Sequence, residues 1–232
     1  MTLQDILDVD FLDDDRPFSS FAYRIIACHN LGHFMRTQPI IDPDDNNIAK
    51  LEARLTNWRL QLPPAKRDAI HKDGSGDEMM FQAHMMVHAT SILLHQPHSR
   101  LDAASTENIN SCAPHPGAGS RVFREQLNGH AKHTVTSASA ISDMVTMRTP
   151  LTHHTHFFTC VITLSSIVHL SYWAHYCGYD NGALRQQIRL NVGALKQLSQ
   201  IWPTAETAYE QVKSTARDIF RARQLPERLV LS

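Results

Sequence analysis

Residues 78–97 read Glu-Met-Met-Phe-Gln-Ala-His-Met-Met-Val-His-Ala-Thr-Ser-Ile-Leu-Leu-His-Gln-Pro. The run predicts one long helix from about Glu78 to His95. Pro97 stops it, because proline has no N–H to give and clashes with the preceding turn. Three imidazoles share a face of this helix. At about 100° per residue, His88 lies about 40° and His95 about 20° from His84. Phe81 and Ile92 flank the same face.

The same punctuation recurs outward in both directions. Ser19 and Ser20 can cap a helix from Phe21 to about Arg36, with Phe21, Ile25, Cys28 and Leu31 at helical spacing and Pro39 as its stop. Asp42-Pro43-Asp44-Asp45 reads as a helix start, with proline in the first turn and carboxylates facing the helix dipole. That helix carries Ile48, Leu51, Leu55 and Trp58 and ends before Pro63-Pro64. Residues 66–77 are polar and read as a loop, and 98–119 are turn-rich and read as a connection. A helix is expected from Arg121 to Met147, broken by Pro150. A buried helix is expected from Thr152 to Cys177, closed by Gly178. An amphipathic helix from Ala183 to Gln200 stops at Pro203, and a last one spans Thr204 to Arg223. Strands have no place, since alternating apolar runs between tight turns are missing. Asn128-Gly129 lies in a polar helical pattern instead. The expected fold is all-α, a single bundle of about seven helices over residues 20–232 behind an acidic segment 1–19.

Composition narrows the function. Of 232 residues, 42% are hydrophobic and 19% charged, a globular balance. The net charge is −1, so the excess of cations that neutralises phosphates in nucleic-acid binders is missing. The N-terminus lacks the basic start and apolar run of a secretory signal. Residues 157–176 are interrupted by Ser165, Ser166, His169 and His175 and read as a core helix, not a membrane span. The four cysteines, Cys28, Cys112, Cys160 and Cys177, are scattered without a C-x-x-C pair. Neither a disulfide framework nor a thiolate zinc site is expected, and the usage fits a reducing, cytoplasmic setting.

Three ordered stretches carry a resemblance: residues 51–63, ending Trp58-Arg59-Leu60-Gln61-Leu62-Pro63; residues 79–97, ending Leu94-His95-Gln96-Pro97; and residues 194–205, with Trp202-Pro203-Thr204-Ala205. Together they resemble the regulatory middle homology domain of fungal zinc-cluster transcription factors, over about residues 20–222. Gln96 departs from the arginine that family often has. The six-cysteine zinc cluster that reads DNA in that family does not precede these stretches, so the chain is not expected to bind DNA by itself. The resemblance implies a place in fungal metabolite gene clusters. Leu51, Leu55 and Trp58 are expected to be core residues, and Trp202-Pro203 a helix corner.

Fifteen histidines form the anomaly. His84 and His88 can line a pocket as acid–base groups, share a metal, or simply hydrogen-bond within the fold. A metal is disfavoured, because no acidic residue accompanies them. His153, His154 and His156 cluster at the start of the expected buried helix. On that helix Ser165 and Tyr172, 11 and 18 positions on, fall near the face of His154. His29 with His33, and His130 with His133, also have same-face spacing in more polar surroundings, and His169 reads as core. Asp143 reads as a surface residue. No nucleophile elbow, phosphate-cradling loop or dinucleotide fingerprint occurs, so no cofactor is expected.

These features favour, narrowly, a transcription-factor-like scaffold reused as a cofactor-free acid–base enzyme. It would close an oxygen ring on a polyketide or prenylated small-molecule substrate by intramolecular hydroalkoxylation. His84, His88, His154 and Tyr172 are the expected catalytic groups. The competing reading is a nuclear co-regulator or metabolite-sensing partner of a full zinc-cluster factor, and an inert relic comes third. No membrane or nucleic-acid partner is expected, and a homodimer stays open.

Overall fold

A computed structural model describes residues 18–71, 73–101, 104–111, 128–147, 149–176 and 182–230. Most of the acidic segment, Pro114 to Gly119, the start of the helix expected from Arg121, Cys112, and Cys177-Gly178 lie outside these residues. Seven α-helices are described: α1 Ser20–Thr37, α2 Asn46–Leu60, α3 Glu78–His95, α4 Gly129–Met144, α5 Phe157–Tyr176, α6 Gly182–Leu198 and α7 Pro203–Val230. Among the described residues no strand is present; one isolated bridge pairs Ile70 with Gly76. The fold is an all-α bundle, as its sequence predicts. The chain divides into two compact units, the first ending at Ser91 and the second beginning at Ile92.

In the first unit, local chemistry sets each helix start. Ser19 Oγ accepts the Ala22 N–H and caps α1. Asp45 caps α2 by accepting the Asn47 N–H at 2.8 Å. Pro43 is therefore not in the first turn of α2 as expected. Asp42 ties the Asp44 N–H at 2.9 Å, and the resulting turn holds the proline ahead of the helix. α1 and α2 pack together, and Tyr23 and Ile26 of the one and Leu51, Leu55 and Trp58 of the other are buried. The Trp58 indole N–H donates to the Tyr23 carbonyl at 3.0 Å, which satisfies the one polar atom of a ring buried in apolar surroundings. Asp77 starts α3: its Oδ1 accepts the Met80 N–H, while its Oδ2 takes the Ser20 hydroxyl and the Lys66 ammonium, the latter at 2.8 Å. Burial works against the Asp77 charge. The hydrogen bonds from Lys66, Ser20 and Met80 outweigh it and hold this carboxyl below the usual range.

In the second unit α5 is the central helix and contacts α4, α6 and α7. Residues 162–171 are all buried, so the middle of the helix is covered around its circumference. Its hydroxyls are satisfied locally: Thr163 donates to the Thr159 carbonyl and Ser166 to the Ile162 carbonyl. Residues Phe157–Ala174 are long and apolar enough to cross a membrane, but 78% of the stretch is buried within the protein. It is the core helix. α5 begins at Phe157 and not at Thr152, because Leu151–His153 form a 3-10 turn that leaves His154 in extended backbone. α4 is capped by Asn128, whose side chain accepts the Ala131 N–H at 2.7 Å, so the Asn-Gly pair starts a helix.

Candidate functional site

The four expected catalytic side chains divide between the units: His84 and His88 belong to the first, His154 and Tyr172 to the second. His84 and His88 do share a face of α3. Their rings stack with centroids 6.5 Å apart. His84 meets the Trp58 ring edge-on at 5.1 Å, and its Nε2 reaches the Lys66 carbonyl at 3.3 Å. Desolvation lowers the affinity of His84 for a proton. Burial, with the His84 and Arg59 charges adding to it, pushes His88 down to about 4. The buried His88 Nδ1 has no hydrogen-bond partner among the described residues. Such an imidazole is neutral at ordinary pH and a weak base, whereas a general base works best with a pKa near the operating pH.

His154 is buried, with its ring edge-on to Phe158 at 5.6 Å. It precedes α5 in extended backbone, so the helical spacing that relates it to Ser165 and Tyr172 does not apply. Tyr172 is half-buried on α5. Ser165 belongs instead to a sealed polar cluster. Ser142 Oγ lies 3.0 Å from His169 Nε2 and 3.2 Å from Ser165 Oγ. Ser165 donates to the Ala138 carbonyl at 2.8 Å, and Asn191 Nδ2 donates to Ser165 Oγ at 3.1 Å. Ser142, Ser165, His169 and Asn191 are all 0% exposed. Burial drives His169 to about 4, as fits its expected core position. The serine–imidazole contact here is closed to any substrate and pins α4, α5 and α6 to one another.

His95, on the same α3 face by angle, belongs to the second unit. In the second unit its ring stacks on His133 at 4.5 Å, and its Nδ1 lies 2.9 Å from His130 Nδ1. His98 joins this cluster, 5.4 Å from the His130 ring. One of the two facing nitrogens of His95 and His130 carries the proton and the other accepts it.

Two of the cavities formed by the described residues open on the second unit. One, of about 310 Å³, has hydroxyl walls from Thr159, Thr163, Thr204 and Thr207 beside Cys160. The other, of about 440 Å³, lies between α5, α6 and α7 and combines Trp173 and Phe220 with Arg185, Arg189, Lys213 and Arg217. None of the four expected catalytic residues lines either cavity. The basic cavity escapes a reading of net charge. Its trace in the sequence is two cation pairs at i, i+4 spacing, Arg185 with Arg189 and Lys213 with Arg217.

No family model matches the chain, and no solved structure matches it. A search of curated proteins finds a relative: the chain is 50% identical over 214 residues to the C6 finger domain transcription factor iacK of Pestalotiopsis fici. The match covers 92% of this chain and 32% of that protein, so the chain spans about a third of the relative's length. The chain is thus related to a fungal transcription factor.

Proposed function

We propose that the chain works in transcriptional regulation, as a helical regulatory domain that responds to a metabolite and acts in the nucleus. The observation that carries this reading is the 50% identity to a named transcription factor across nearly the whole chain. The structure supports it in two ways. The bundle is well capped and closely packed, and its second unit presents an open, ligand-sized cavity. A nuclear site replaces the cytoplasmic one expected of an enzyme. Acid–base cyclisation draws less support, because the imidazoles that suggested it are held neutral by burial or lie away from the two cavities.

Deleting the gene and measuring transcripts tests this directly. Regulation predicts altered transcript levels of biosynthetic genes, restored equally by the wild-type chain and by a chain carrying His88→Gln and Tyr172→Phe. Unchanged transcripts together with loss of a single cyclised product would overturn it.

A further inference from the structure

The basic cavity gathers charge that the chain as a whole does not have. Arg185 and Arg189 stand one turn apart on α6 and face Lys213 and Arg217, one turn apart on α7. Among the described residues no aspartate or glutamate lines the space, and the whole chain carries a net charge of −1. Among the described residues Arg185, Arg189 and Arg217 have no ion-pair partner, whereas Lys213 lies 3.5 Å from Glu210. The floor is aromatic. Trp173 and Phe220 have centroids 6.3 Å apart, and the Arg185 guanidinium sits 5.3 Å from the Phe220 ring centre. Like charges around one concavity repel, and a bound anion relieves that repulsion.

Gly193 gives an independent indication. It occupies the interior of α6 on the cavity wall, where glycine weakens a helix relative to alanine. A Cβ added there meets no atom within 4 Å. Packing therefore does not require the glycine. Its missing side chain leaves room in the cavity.

We propose that this cavity binds a small organic anion: an aromatic carboxylate of metabolite size. Its carboxylate is held by the arginines of α6 and α7, which match it with paired N–H donors. Its ring lies against Trp173 and Phe220. The volume of about 440 Å³ suits one such molecule. This deepens the regulatory reading by naming the effector class and its site, and rests on that reading for its consequence in the cell.

The test is isothermal titration calorimetry of the full chain with 2-naphthoate, with neutral 2-naphthamide, and with acetate. Naphthoate is expected to bind saturably at one site, with the amide and acetate weaker by roughly tenfold or more, because each lacks one half of the recognition. Arg189→Gln with Arg217→Gln should weaken naphthoate by roughly tenfold or more. Gly193→Leu alters no charge and should block binding while raising the melting temperature. Circular dichroism confirms folding of each variant, and Gly193→Leu keeps the test valid if the arginine variant fails to fold. Equal binding of acid and amide, affinity unchanged in the folded variants, or no saturable naphthoate binding would each overturn the site. Altered transcripts on gene deletion without naphthoate binding remove this site alone. Naphthoate binding with unchanged transcripts removes the regulatory reading alone.

Discussion

Lowering the pH from 7 to 5 is expected to destabilise this protein well before its carboxylates titrate. An unfolded histidine titrates near 6.5, while burial holds His169 at about 4 and burial with two neighbouring charges holds His88 at about 4. Between these values the unfolded chain binds a proton that the folded chain refuses. Stability is thus complete above about pH 6.5 and falls as the pH drops toward 4. At pH 5 the loss is about 2 kcal/mol at His169, and the same or less at His88, which is partly exposed. Asp77 acts in a lower window. Its carboxyl is held below the usual range, so its contribution persists through pH 5 and disappears only in stronger acid. Thermal melts followed by circular dichroism should show Tm lower by on the order of 10 °C at pH 5 than at pH 7. His169→Gln should flatten that dependence for the second unit, whatever it does to stability at pH 7. A Tm that does not move between pH 7 and 5 contradicts the buried neutral state of both imidazoles.

Trp58→Ala is expected to be the most damaging single substitution in the first unit. Trp58 is 1% exposed, reaches from α2 to α1, meets His84 edge-on and donates its N–H to the Tyr23 carbonyl. Truncation removes the ring, leaves a cavity and strips a buried carbonyl of a donor, for about 3–5 kcal/mol in all. That is a large share of the roughly 5–15 kcal/mol that holds a typical domain together. Trp58→Phe keeps most of the volume and loses the donor, so a smaller cost of about 1–2 kcal/mol is expected. Urea unfolding at pH 7 measures both. A loss below about 1 kcal/mol for the alanine variant contradicts the central packing role of this ring.

The helices were legible because their signals are local. Prolines at 39, 63, 97, 150 and 203 and the caps at Ser19 and Asp45 punctuate the chain, and the apolar spacing between them has one helical period. The start of α5 was not legible: a 3-10 turn after Pro150 satisfies the same sequence signals as a helix start, and it removed His154 from the face assigned to it. The spacing of His84, His88 and His95 gives them a common face as an angle, and the His84 and His88 rings do stack. Angle does not reveal company: within the second unit His95 lies beside His130 and His133. The basic cavity depends on residues 173, 185–193 and 213–220 meeting through the packing of α5, α6 and α7. Net charge averages that cluster away, whereas a surplus of histidine is visible in composition alone.

The most direct measurement of the regulatory claim joins the full chain to a heterologous DNA-binding domain and reads a reporter gene bearing that domain's site. Regulation predicts reporter output that differs from that of the DNA-binding domain alone and survives His88→Gln with Tyr172→Phe. Output indistinguishable from the DNA-binding domain alone, from a fusion shown to be folded and nuclear, would contradict it.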